Sequence, residues 1–273
     1  MKNIRSFFRS FFSLYSEYRL NVAAAGLSYY LMMTFFPLLI CIYTLLGNSY
    51  EWAMRVIEFV SPLLPAKSVE YIISFMEYVS ENYSVLMMLL ALSVILVTAS
   101  AAFRSLENTI GAMQGKQRYA GIAFFLFSVF LSLVFTVTIY LAIVAMFFGK
   151  NIMRSINLYL PFLNIGNVWV NLRYLLLFGV AFAILILIFE VCKSKDQHYS
   201  TVFGALVATA ALVGISAVFS LFINYSVKYP LVYGSLASLI LLMFWLYCCC
   251  QAVYCGAAIN ITLRNMKQEA SNR

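Results

Sequence analysis

The chain has 273 residues, of which 64% are hydrophobic and only 10% charged, with a formal charge of +8 and a mean hydropathy of +0.91. A soluble domain carries about a quarter of its residues charged to keep its surface wetted, so water-soluble enzyme and nucleic-acid readings are excluded and the bilayer becomes the solvent. The basic excess is read from its placement, because lysine and arginine beside apolar runs orient helices, whereas a nucleic-acid groove gathers them on one folded face.

Residues 1–20 come first. Phe8, Phe11, Phe12, Tyr15 and Tyr18 fall near helical spacing while Arg5 and Arg9 turn elsewhere, which predicts an amphipathic helix in the inner headgroup layer. The first apolar stretch runs from Val22 to Leu46. It exceeds the ~7–15 residues of a signal-peptide core, and Ala23, Ala24 and Ala25 begin the run instead of ending it, so a retained helix is expected. Pro37 lies inside this stretch and predicts a bend that frees the carbonyl of Met33.

Residues 47–83 form the longest loop. Val69, Ile72, Ile73, Met76 and Val79 recur at helical spacing, Glu70, Glu77 and Glu81 take other positions, and Ser61, Pro62 and Pro65 divide the segment. The pattern predicts an amphipathic extracytoplasmic hairpin, either a cover for the bundle or a lid.

Five further apolar stretches follow: Ser84 to Phe103, Gly121 to Phe148, Tyr174 to Val191, Thr201 to Asn224, and Ser235 to Leu263. A spanning helix needs ~20 apolar residues to cross ~30 Å of hydrocarbon. The expected fold is therefore all-α: one integral-membrane domain over residues 1–273, a bundle of six transmembrane helices, and a cytoplasmic tail at 264–273. With both termini cytoplasmic, the outer side keeps only Arg55, Lys67, Lys150, Arg154, Arg173 and Lys228 of the 18 basic residues, as the positive-inside bias requires.

Small residues four apart allow helices to approach closely. Ala24 and Ser28, Gly204 and Ala208, Ala210 and Gly214, and Ala252, Gly256 and Asn260 follow this spacing and predict a tight core made by the first, fifth and sixth spans.

Several blocks resemble the YihY/BrkB family. Tyr18-Arg19-Leu20-Asn21-Val22-Ala23-Ala24-Ala25-Gly26-Leu27-Ser28-Tyr29-Tyr30, continuing to Phe35-Phe36-Pro37-Leu38, resembles its amino-terminal signature. Ala99-Ser100-Ala101-Ala102-Phe103 with Leu106 and Gly115 resembles a second block, and Tyr233-Gly234-Ser235-Leu236-Ala237 with Trp245-Leu246-Tyr247, Gly256-Ala257 and Asn260 a third. The resemblance implies a multi-pass protein of the bacterial inner membrane, of a family described as transporters or as proteins of unknown function and once mislabelled ribonuclease BN. The chain departs at Ala258, where the family commonly carries glutamate, so no role is carried over to that position.

No catalytic, cofactor or metal site is expected. His198 is the single histidine and sits in a charged turn, so the acid–base or metal set of a nuclease is missing. Cys248, Cys249 and Cys250 are consecutive, and on a helix they point ~100° apart, which does not suit one tetrahedral ion. Arg104, Glu107 and Glu190 lie near helix ends, where they are expected to snorkel or pair.

Polar side chains inside the spans remain. Ser28, Tyr29, Tyr30, Thr34 and Pro37 on the first span are expected to face Tyr233, Gln251 and Asn260 across a central path, although interhelical packing explains scattered polar groups as well. The leading expectation is a transporter or permease for a small molecule, an ion or a lipid. A non-transporting envelope scaffold and a lipid translocator stay open beside it. Membrane lipids are the expected partners, nucleic acid is not, and self-association of the chain is compatible with the sequence.

Overall fold

The computed structural model describes residues 2–45, 54, 57, 66–82, 84–115, 165–193, 199–225 and 236–271. Among the described residues the secondary structure is helical, with α1 at Lys2–Glu17, α2 at Leu20–Leu45, α3 at Ala66–Glu81, α4 at Val85–Met113, α5 at Ile165–Cys192, α6 at Val202–Tyr225 and α7 at Leu236–Ser271. Stretches within four of these helices are long and apolar enough to cross a membrane: Leu20–Cys41, Val85–Met113, Val202–Phe219 and Leu239–Gln268. A shorter apolar stretch, Phe178–Cys192, lies in α5. The expected span at 121–148 lies outside the described residues, as do Tyr233, His198 and most of the first arm of the 47–83 loop.

Burial is distributed as a lipid solvent requires. Leu86, Leu90 and Val97 of α4, Leu206, Val213 and Val218 of α6, and Ile240 and Phe244 of α7 are all exposed, whereas serine, threonine, asparagine and alanine are among the buried side chains. With no water to drive apolar groups inward, helices associate through small residues and hydrogen bonds.

The helix ends show how the chain turns. At the first corner Arg19 adopts a left-handed backbone, φ 47°, between α1 and α2, and Val22 N–H and Ala23 N–H both donate to its carbonyl. The amphipathic helix is present as expected, with Leu14 buried, Phe11, Tyr15 and Tyr18 packed on the core, and Arg5 and Arg9 exposed. Ser84 caps α4 by accepting from Met87 N–H at 3.1 Å, and Gly115, with φ 71°, ends the helix in the left-handed conformation that favours glycine.

Of the outer loop, α3 is described. Ile72, Met76 and Val79 are buried against Leu242 of α7, with Met32, Phe35 and Leu39 of α2 beside them, while Glu70, Glu77 and Glu81 are exposed. The stripe read from the sequence thus marks a packed face. α2 stays helical through Pro37.

Helix α7 is the hub, touching α1, α2, α3, α4 and α6. At 36 residues it is roughly 54 Å long, so it outruns the ~30 Å of hydrocarbon. The helix does not end with the apolar stretch at Leu263 but continues through polar residues to Ser271.

Candidate functional site

Three faces of α7 meet three different environments. The face carrying Ala252, Gly256 and Asn260 engages α6. A Cβ on Gly204 of α6 would overlap the Gly256 carbonyl oxygen and lie 2.5 Å from Asn260 Cγ; one on Gly256 would lie 2.6 Å from the Gly204 oxygen and 2.7 Å from Ala208 Cβ. Carbon atoms pack no closer than about 3.5 Å, so only glycine admits this crossing at either position.

Asn260 completes the contact. Its Oδ1 accepts from Gly204 N–H at 2.7 Å, and its Nδ2 donates to the Thr201 carbonyl at 2.9 Å. The first amides of a helix have no partner within it; here one of them is capped from a neighbouring helix. Thr201 Oγ1, placed to cap its own helix, instead donates to Glu190 Oε1 at 2.8 Å.

The same end of the bundle continues as a connected polar lattice. Glu190 Oε2 accepts from Lys193 Nζ at 2.9 Å, and Lys193 Nζ also donates to the Tyr199 carbonyl at 3.1 Å. Two cations lie over the Tyr199 ring, Lys193 Nζ 5.3 Å and Arg264 Cζ 5.7 Å from its centroid. Burial pushes the Tyr199 phenol up to about 12, with Arg264 acting against the shift, so the ring is neutral at physiological pH. Gln114 of α4 donates to the Cys192 carbonyl at 3.2 Å, satisfying the last turn of α5.

The other two faces of α7 are less complete. Toward α1, Gln251 Nε2 donates to Tyr15 Oη at 2.7 Å, yet Gln251 Oε1 is buried without a hydrogen-bond partner. Toward α4, fully buried Tyr254 brings its hydroxyl beside those of Thr109 and Ser105 without the geometry of a hydrogen bond. Ser100 Oγ of α4 and Trp245 Nε1 are further buried polar atoms without a partner. An unpaired polar group away from water costs ~1–3 kcal/mol, and the cost is not reduced in lipid.

The sequence-derived path residues divide between these environments. Ser28 is buried and donates to the Ala25 carbonyl of its own helix at 2.8 Å. Thr34 Oγ1 donates to the Tyr30 carbonyl at 2.8 Å and meets Thr98 Oγ1 of α4 at 2.9 Å. Tyr30 packs against the core, whereas Tyr29 turns outward, 50% exposed. Gln251 and Asn260 lie on different faces of α7, one bound to α1 and the other to α6.

Two residues gain weight that sequence reasoning does not give them. Tyr254 is absent from the expected path, although a large side chain with a polar tip inside an apolar run is a usable signal. Glu107, expected to snorkel or pair, is buried to 7% exposure on an inward face of α4 that it shares with Gly111 and Gln114. By contrast Ala210 and Gly214, expected in the tight core, are exposed among the described residues, none of which lies within 4 Å of a Cβ on Gly214.

A profile of the family described as Virulence factor BrkB matches residues 11–273. A relative in Bacillus subtilis (strain 168), the ribonuclease-like protein YfkH, is 24% identical over 269 residues, covering 96% of this chain and 97% of its own. No solved structure matches the chain.

Proposed function

The chain belongs to the BrkB family, and from that premise we propose that it is a multi-pass transporter or permease of the bacterial cytoplasmic membrane, with six spans and both termini inside. The observation that carries the reading is the set of buried, unpaired polar atoms on the α1-facing and α4-facing sides of α7, Gln251 Oε1 and Tyr254 Oη. Groups of this kind are retained where water or a passing solute supplies the missing partner. The path we propose runs along these faces, past Gln251, Tyr254, Ser28, Tyr30 and Thr34, while Asn260, whose hydrogen bonds are spent on α6, holds the frame. Pro37 and the outward Tyr29 flank it on α2, and Tyr233 completes the proposed set.

A lipid substrate is the second reading. The Thr34–Thr98 pair is half-buried at the α2–α4 seam, with Met33, Val94 and Val97 exposed around it, which suits a shallow polar groove reached from the side. We read the role as non-enzymatic from the sequence, which has a single histidine to offer for acid–base or metal chemistry. The word ribonuclease in the relative's name stays with that relative.

Proteoliposomes test the proposal with three probes: a proton-sensitive dye, a potassium-sensitive dye and a fluorescent phospholipid. Movement of one probe that depends on the protein and falls at least tenfold in Gln251→Leu and Tyr254→Phe, with folding intact, is the expected result. Retention of all three probes, with an unchanged growth phenotype on deletion of the gene, would replace transport by the scaffold role, in which α3 and the polar turns are contact surfaces.

A further inference from the structure

Helix α1 carries two aromatic rows with different fates. Phe7, Phe11 and Tyr15 form one row, with ring centroids 6.4 Å apart at each step; Phe11 and Tyr15 pack on the core, and Tyr15 is tied to Gln251 of α7. Phe8 and Phe12 form the second row, 6.5 Å apart and stacked, and they are 52% and 61% exposed. The tie to Gln251 and the buried Leu14 prevent the helix from rotating to bury this second row.

Successive residues on a helix turn by ~100°, and this orders the surface of α1 into sectors. Going round from the core face formed by Leu14, Phe11 and Tyr15, the next positions are Phe8 and Phe12, then Arg5 and Arg9, then Ser6 and Ser13, with Glu17 last. Arg5 and Arg9 are exposed, one turn apart, and neither makes an ion pair with a described carboxylate. Arg19, exposed at the corner into α2, adds a third cation on the same end of the molecule.

An exposed phenylalanine edge directly beside an arginine edge, on a helix leading into a spanning helix, matches the layering of an interface: acyl chains, then phosphate, then water. Guanidinium groups hold phosphate oxygens in paired hydrogen bonds. We propose that Arg5 and Arg9 bind the phosphate groups of anionic phospholipids, with Phe8 and Phe12 inserted among the acyl chains beneath them. This lipid site is separate from the transport reading and stands or falls without it.

Hydrogen exchange of the full-length protein in lipid nanodiscs tests the site. Discs of phosphatidylcholine alone are compared with discs in which part is replaced by phosphatidylglycerol of the same acyl chains, and the readout is exchange of α1 amides. Each basic residue at an anionic surface contributes about fivefold, so opening of α1 slows on the order of tenfold or more with phosphatidylglycerol. Arg5→Gln with Arg9→Gln removes most of that difference, Arg19 retaining the rest, and Arg5→Lys with Arg9→Lys keeps most of it. Equal exchange in the two lipids, or a lipid effect undiminished in the glutamine pair, would overturn the proposal; exchange across α4 and α7 reports whether the variants remain folded.

Discussion

The two sides of α7 follow opposite rules. On the α6 side, backbone touches backbone at Gly204 and Gly256, and Asn260 spends both amide atoms on α6. On the sides facing α1 and α4, Gln251 and Tyr254 each leave a polar atom buried and unpaired. One helix thus contributes to a contact built for fixity and to an interior that tolerates an energetic deficit. In natural proteins such deficits persist where function uses them.

The contrast predicts mutational effects of opposite sign. The largest is expected at the crossing, where Gly204→Val or Gly256→Val forces backbones apart and costs more than ~3 kcal/mol; size-exclusion profiles after detergent extraction should show loss of the monodisperse species. Asn260→Ala strands Gly204 N–H and removes one of two donors from the Thr201 carbonyl, which keeps the Ala205 N–H, with an expected loss of ~1–3 kcal/mol and a matching fall in melting temperature. Tyr254→Phe should go the other way: removal of an unpaired hydroxyl leaves stability unchanged or raises it by up to ~1 kcal/mol. Were Tyr254→Phe to destabilise the protein as Asn260→Ala does, the interior would be as tightly satisfied as the crossing, and the contrast would collapse. The smallest effect belongs to Glu190→Gln at the exposed edge of the lattice, ~0.5 kcal/mol in the same melting assay, since the hydrogen bond from Thr201 survives.

Much of this architecture is legible in the residues because local periodicity records burial. The Val69-to-Val79 stripe of α3 predicts the face that packs, and the Phe and Tyr spacing of α1 does so in part, since Phe11, Tyr15 and Tyr18 pack while Phe8 and Phe12 are exposed. The apolar runs locate at least one end of each matching helix within two residues, but they miss ten residues of α4 beyond Phe103, nine of α5 before Tyr174 and eight of α7 beyond Leu263. Small-residue spacing is a weaker guide: Gly204 with Ala208 and Gly256 with Asn260 do form the crossing, but Ala210 with Gly214 has the same spacing and is exposed among the described residues. Spacing shows that close approach is permitted; the neighbour that uses it comes from the rest of the fold.

Partnerships across the chain are not legible. Tyr15 and Gln251 are separated by 236 positions, and nothing at either position announces the other. Asn260 stands out as a polar residue within lipid, which suits a path residue and a helix cap equally. Its geometry, with both amide atoms engaged on α6, assigns it to the cap.

Thiol labelling on the two sides of α7 tests the contrast most directly. Cys250, beside Tyr254, is 2% exposed, and Thr209 of α6, which follows Ala208 of the crossing in sequence, is 0% exposed with its hydroxyl bound to the Ala205 carbonyl. Burial alone gives both positions the same protection. Peptide-mapped modification of Cys250 and of Thr209→Cys by a small hydrophilic reagent in intact membranes, scaled to denatured protein, separates a hydrated interior from a dry one. A hydrated interior beside a dry crossing predicts that Cys250 is modified while the thiol introduced at position 209 is protected; equal protection of both would contradict it.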